Sequence, residues 1–284
     1  MISAKKLFLP PEEEVLEFKG LKVKEKVVVE KRVLFGVHPC DINALQILDK
    51  AYSFKYKDSY YLAKRKNTLI IGVECQPSET CFCKSMGTLS VDKGYDLFLR
   101  EMDEEYYCVY VASKLGEKLT ESPIFEDVDS ALAIEVEKRF AEKVEEKIPV
   151  KIEGLPEKID ECFADEKIWS DIAKRCLGCG NCTMVCPICC CFNFMDTVDT
   201  DFKTGKRVRR WDACTLPDFS IVAGGGNFRP TIQHRIRNWF YDKFKVFVDQ
   251  VGVPGCVGCG RCVTYCPAKI DLREEIKKIW EVFS

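Results

Sequence analysis

An α/β domain followed by an α+β domain with a long insertion is the fold class that this sequence predicts, on three observations. In the first half, the apolar runs Arg32–Val37 and Thr68–Val73 flank a helical pattern, which gives strand, helix, strand. In the second half, C-x2-C-x2-C-x3-C-P occurs twice, at Cys176, Cys179, Cys182, Cys186, Pro187 and at Cys256, Cys259, Cys262, Cys266, Pro267. Residues 187–255 separate the two runs, far more than a minimal two-run module needs. That cysteine spacing binds [4Fe–4S] clusters in bacterial-type ferredoxins. The expected division is therefore an α/β domain over residues 1–160 and a ferredoxin-like two-cluster domain over 161–284.

The elements follow in order. Residues 1–30 are charged and alternate around Leu21–Lys24 and Val27–Val29, which predicts short strands or a hairpin. Arg32–Val37 and Thr68–Val73 read as buried strands. Asp41 is placed to cap a helix through Ile42, Ala44, Leu45 and Leu48. Tyr106–Val111 reads as a third strand. Leu132, Val136, Phe140 and Val144, four apart, make one face of an amphipathic helix. Lys151–Asp165, with Gly154, Pro156 and many charges, marks a boundary, and the cluster module begins near Ile168. The insertion holds the turn Gly224-Gly225-Gly226 and an aromatic, basic helix from about Ile232 to Phe247. A last amphipathic helix runs from Leu272 to Phe283.

Composition excludes several classes. Of 284 residues, 46% are hydrophobic and 31% charged, with a formal net charge of -2 and mixed signs, which gives no nucleic-acid surface. No stretch reaches the length of apolar chain that a membrane span requires. The N-terminus lacks the apolar core of a secretory signal, so a cytoplasmic location is expected. Eighteen cysteines in so long a chain argue for thiolate ligands rather than a disulfide scaffold.

Within the runs, the fourth cysteine of each serves the neighbouring cluster. One cluster then takes Cys176, Cys179, Cys182 and Cys266, and the other takes Cys256, Cys259, Cys262 and Cys186. The alternative is that each run ligates its own cluster. Gly178, Gly180, Gly258 and Gly260 repeat between the runs, where tight turns present amides to sulfur. Cys40, Cys75, Cys81 and Cys83 fall at the ends of the two predicted parallel strands and in the next loop. They form a candidate third site, with structural thiols, zinc or a redox dithiol as alternatives. Cys189, Cys190, Cys191 and Cys214 form a second group, one of them expected to be a spectator. Cys108 and Cys162 read as small buried hydrophobes. Arg207, Arg209, Arg210, Arg229, Arg235 and Arg237 read as a solvated basic face, or as charges that offset the clusters or dock an acidic partner. Trp211 and Phe228 are expected to pack around the clusters. The glycine turn lacks the strand and spacing of a nucleotide-binding loop.

Several stretches together resemble the iron–sulfur beta subunit of cytoplasmic sulfhydrogenases and the related A subunit of anaerobic sulfite reductase. They are Phe35-Gly-Val-His-Pro-Cys-Asp41, Ile71-Gly-Val-Glu-Cys75 and Glu79-Thr-Cys-Phe-Cys-Lys-Ser-Met-Gly87, then the first cysteine run through Cys191-Phe192. Gly205-Lys-Arg-Val-Arg-Arg-Trp-Asp212 with Cys214 follows, then Asp218-Phe-Ser220, Ala223-Gly-Gly225, Asn227-Phe-Arg-Pro230 and the second run. His38, Cys190 and Gly226 depart from the family pattern. The resemblance implies an electron-transfer subunit of a soluble multisubunit oxidoreductase, without substrate chemistry of its own and with no catalytic residue. Its partners would be a flavin-containing, diaphorase-like subunit that handles NAD(P)H (or one that handles ferredoxin) and a catalytic subunit, a nickel–iron hydrogenase or a sulfite reductase. Two other classes fit the cysteines alone: a stand-alone iron–sulfur reductase of a disulfide or sulfur compound, and a free ferredoxin-like shuttle.

Overall fold

The computed structural model describes residues 3–282. It contains two four-stranded sheets, ordered β2-β1-β8-β7 and β3-β4-β5-β6. The predicted N-terminal hairpin forms from β1 (Glu12–Lys19) and β2 (Lys22–Glu25), which turn at Gly20 with φ 56°. Val27–Val29 lies outside it as an unpaired, exposed connection. The other side of β1 pairs antiparallel with β8 (Thr204–Trp211), which in turn pairs with β7 (Phe192–Val198). The N-terminal hairpin and the hairpin of the insertion thus make one sheet. Charge fixes its register: Glu12 faces Arg210 and Glu13 faces Arg209 across the strands.

The second sheet holds the predicted strand–helix–strand unit. Strands β3 (Arg32–Val37) and β4 (Thr68–Val73) are parallel, joined through helices Pro39–Ala51 and Ser59–Lys66. β5 (Leu97–Glu101) adds parallel to β4, and β6 (Tyr107–Val111) returns antiparallel. β5 escapes a pattern search because only Leu97-Phe98-Leu99 is apolar and a loop rich in Asp and Lys precedes it. β3 differs from the expected buried strand. It is an edge strand, with Val33 64% and Phe35 71% exposed on the uncovered side. The first helix also starts earlier than the Asp41 cap predicts. His38 is extended and Pro39 occupies the first turn, where its missing N–H and fixed φ are tolerated, so Asp41 is free to turn inward.

The amphipathic helix forms over Ser130–Lys143 and buries Val136 and Phe140, with Leu132 38% exposed at its start. Within the expected boundary, Leu155–Glu161 is a helix whose Leu155 and Ile159 are fully buried. Residues Ile232–Tyr241 are helical, continue through a π-helical turn at Asp242–Val246 and end as helix Phe247–Val251. The last helix covers Leu272–Val282, and Phe283 lies outside the described residues.

Two cores result. Phe8, Ile42, Leu45, Leu48, Tyr61, Ile70 and Phe98 centre the first. Phe82, Leu155, Trp169, Phe240, Phe244 and Ile276 centre the second. Each such side chain contributes about 1.5–3 kcal/mol by leaving water. The cysteine runs straddle the two: Cys186 belongs to the first core, while Cys176, Cys182, Cys256 and Cys262 pack on the second. Among the described residues no helix is long and apolar enough to cross a membrane.

Candidate iron–sulfur centres

The two cysteine runs adopt the same local structure. Gly178 and Gly258 have φ 63° and 62°, and Gly180 and Gly260 have φ 78° and 65°. Left-handed backbone at both glycines folds each run into a tight loop that leads into a short helix, Asn181–Met184 or Arg261–Thr264. The loop turns an amide onto its first sulfur. Gly178 N–H donates to Cys176 Sγ at 3.3 Å, and Gly258 N–H donates to Cys256 Sγ at 3.4 Å.

The fourth cysteines cross over. One cavity is lined by Cys176, Cys179 and Cys182 of the first run together with Cys266 of the second. A neighbouring cavity is lined by Cys256, Cys259 and Cys262 together with Cys186. Cys182 and Cys262 reach both, so the cavities adjoin. Trp239, Phe240, Ile172 and Leu272 wall the first, and Phe82 and Val257 help wall the second. Among the described residues no three Cys, His, Asp or Glu side chains converge as they would on a single metal ion. The thiols line the two cavities.

Electrostatics agree with a cationic occupant. Burial raises the pKa of Cys182 and of Cys259 to about 12 and that of Cys262 well above the thiol range. These sulfurs require positive charge inside the cavity to become thiolates, and iron would supply it. Cys186 is the opposite case. A hydrogen bond from the Cys189 thiol, opposed by burial and assisted by Lys243 and Lys5, holds Cys186 well below the usual range. Its Sγ accepts from the amides of Ile188 and Cys189 at 3.4 Å each and from the Lys243 ammonium at 3.3 Å.

Cys81 and Cys83 flank Phe82, which lines the second cavity, while Cys40 and Cys75 lie at the ends of neighbouring strands. Cys40 follows β3 in the first turn of its helix, and Cys75 follows the parallel neighbour β4. The loop with Cys81 and Cys83 lies directly on the second run. Phe82 N–H donates to the Gly258 carbonyl at 2.7 Å, and Cys81 Sγ donates to the Cys259 carbonyl at 3.6 Å. A Cβ on Gly258 would stand 2.4 Å from the Phe82 carbonyl oxygen, so only glycine allows this approach. The thiols lie near enough to perturb one another. Burial, then Cys81, lifts Cys75 to about 11, while burial, then Cys81 and Cys75, lifts Cys83 to about 12. Cys40 is raised by burial, Asp41 and Cys259.

The remaining cysteines divide. Cys191 accepts a hydrogen bond from the Cys214 thiol, and Cys190 faces the Tyr52 hydroxyl. Cys108 and Cys162 are buried, as expected of packing residues. Three arginines of the insertion are ion-paired and a fourth is buried. Arg209 is buried between Glu13 and Asp58 at 2.7 and 2.5 Å, Arg207 binds Asp196 at 2.7 Å and Arg210 binds Glu12 at 2.5 Å. Arg235 is buried with its donors on the carbonyls of Thr215, Arg229 and Pro230. Phe228 is 77% exposed and does not pack on the cysteines. Trp211 donates to the Leu9 carbonyl at 2.9 Å and lies under the Lys5 ammonium.

Two charged residues at these centres went unread in the sequence, Lys243 and Arg261. Lys243 did leave a signal. It occupies the apolar stripe of its helix, three residues after Phe240 and beside Phe244, where a solvent-seeking side chain does not belong.

Residues 175–270 match a family model described as a 4Fe-4S dicluster domain. Sulfhydrogenase 2 subunit beta of Pyrococcus furiosus is 41% identical over 286 residues, covering 99% of this chain and 83% of that protein. No solved structure matches. With this identity over nearly its whole length, and with its paired cysteine runs folded around two adjoining cavities, the chain belongs to the family of sulfhydrogenase beta subunits.

Proposed function

We propose that the chain is the electron-relay subunit of a multisubunit oxidoreductase. Cys176, Cys179, Cys182 and Cys266 would hold one [4Fe–4S] cluster, and Cys186, Cys256, Cys259 and Cys262 a second. Cys40, Cys75, Cys81 and Cys83 would hold a third. The observation that carries this reading is the crossing: each cavity is rimmed by three cysteines of one run and the fourth of the other. Bound clusters would accept and release one electron at a time.

The protein's part is to place and enclose them. The first cavity adjoins the second through Cys182 and Cys262, and the second adjoins the third group through Cys259 and Cys81. The three proposed sites would then form a row, with the second in the middle. Cys179 is exposed, which brings one end of the row to the surface. Partners at the ends would be a flavin-containing, diaphorase-like subunit and a catalytic redox subunit, by analogy with the relative named a sulfhydrogenase subunit. A soluble, cytoplasmic complex is the setting that fits.

The test is anaerobic purification from the native source, with iron and acid-labile sulfide measured per chain and co-purifying subunits identified. Three cubanes require about 12 iron atoms and two require about 8. Co-purification with flavin and hydrogenase or sulfite-reductase subunits supports the relay. A lone chain that reduces substrate by itself overturns it.

A further inference from the structure

Lys243 is 4% exposed and sits in the π-helical turn Asp242–Val246, an irregularity that recurs at functional sites. Its ammonium donates to Cys186 Sγ at 3.3 Å and to the Gly255 carbonyl at 2.9 Å, and the Trp239 ring centroid lies 5.3 Å away. Among the described residues no carboxylate stands within ion-pair distance of it. The Lys243 ammonium is thus enclosed against a cysteine of the middle site, with the buried carboxyl of its chain neighbour Asp242 close enough to interact with it but not in ion-pair contact. Within this turn both Lys243 and Phe244 are buried.

Three other buried cations near the cysteines donate to partners other than a ligand sulfur. Arg261 is paired through both terminal nitrogens with Asp41, and Arg235 is turned onto three backbone carbonyls. Lys5 donates to the Cys189 carbonyl at 2.7 Å and stacks 4.1 Å over Trp211, near Cys186 but not on its sulfur. Cys176 and Cys266 accept from the amides of Gly178 and Ile270 at 3.3 Å. Cys186 accepts from two amides and, in addition, from an ammonium.

We propose that Lys243 raises the reduction potential of the cluster that Cys186, Cys256, Cys259 and Cys262 would hold, above the value it would have without that ammonium. The inference rests on the ligand assignment given above. Reduction adds one negative charge to a cluster, and hydrogen bonds to its sulfurs and nearby charge are among the protein's means of setting its potential. In a low-dielectric interior, a fixed cation in contact with a ligand sulfur favours the reduced state strongly. Lys243 is in this sense a positioning and tuning residue. It touches a ligand, not a substrate.

The experiment is a potentiometric EPR titration of the full chain, purified anaerobically, with the middle cluster identified as the signal lost in Cys186→Ser. In Lys243→Met, the reduction equilibrium of that cluster should fall at least about tenfold, equal to about 59 mV for one electron, while the others stay in place. Lys243→Arg should recover part of the shift, and Lys5→Met should give a smaller one. A Lys243→Met chain with unchanged iron content and an unchanged middle potential overturns the proposal.

Should Lys243→Met fail to take up iron, wild-type protein labelled with 15N only at the lysine side-chain nitrogen decides the matter. Pulsed EPR should then show a 15N coupling on the middle cluster that Lys243→Arg abolishes, and its absence rejects the proposal. Wild-type protein without two cubane signals would instead reject the ligand assignment.

Discussion

Arg261, inside the second cysteine run, donates through both terminal nitrogens to the carboxylate of Asp41 at 3.0 and 2.7 Å, across 220 residues of chain. Asp41 also accepts from Ser3 Oγ at 2.7 Å. Both partners are buried, 7% and 9% exposed at their side chains. The pair ties the helix that carries Cys40 to the loop that carries Cys259 and Cys262. It sets the candidate third site against the middle one.

Breaking this pair from one side should be costly. Asp41→Asn leaves a buried guanidinium without its counter-charge, and a loss of about 3–5 kcal/mol is expected in denaturant unfolding. The double change Asp41→Leu with Arg261→Met should recover much of that loss, because two buried charges vanish together. A double-mutant cycle measures the difference.

Crossed ligation has its own signature. Cys266→Ser should remove the same EPR signal as Cys176→Ser, and Cys186→Ser the same signal as Cys256→Ser. If each run held its own cluster, Cys266→Ser would pair with Cys256→Ser instead.

Equivalent glycines of the two runs should respond differently to alanine. Gly178 and Gly258 share nearly the same left-handed φ, so both substitutions carry about 1–2 kcal/mol of backbone strain. A Cβ on Gly178 meets nothing closer than 3.7 Å, whereas on Gly258 it stands 2.4 Å from the Phe82 carbonyl oxygen. Gly258→Ala should therefore cost more in thermal unfolding. It should also lower iron content by displacing the loop with Cys81 and Cys83, while Gly178→Ala leaves that loop in place.

Stability should depend on pH through Glu74. Burial lifts its carboxyl to about 7, with Arg100 opposing at 3.1 Å. Between its ordinary value of 4.5 and about 7, the folded chain keeps a proton that the unfolded chain has lost. Stability therefore falls as pH rises through that window. Glu74→Gln should flatten the fall, read as melting temperature from pH 5 to 8 under anaerobic conditions. An equally steep fall in the variant would remove Glu74 as its source.

What the sequence showed depended on how local each signal was. Cysteine spacing and the paired glycines lie within a dozen residues, and the structure folds both runs alike. The parallel pair β3 and β4 was legible because each is a continuous apolar run. The burial of β3 was not, because an edge position depends on what the rest of the chain covers. The pairing of β1 with β8 was harder still. Its clue lay in two distant charge runs, Glu12-Glu13-Glu14 and Arg207 to Arg210, which only the paired strands bring into register. Asp41 looked like a helix cap for the same reason: its true partner is at the far end of the chain.

That far-reaching sheet bears on how the protein is made. β1 leaves the ribosome early, yet Glu12 meets Arg210 only after 198 further residues have followed it. Cys176, Cys179 and Cys182 likewise wait for Cys266, made long after them, to close their cavity. Contacts so distant in sequence form slowly. Iron delivered to the nascent chain would find half-built cavities, and a messenger cut short between Trp211 and Cys266 would yield a polypeptide with all the strands of this sheet but with its first cysteine cavity open.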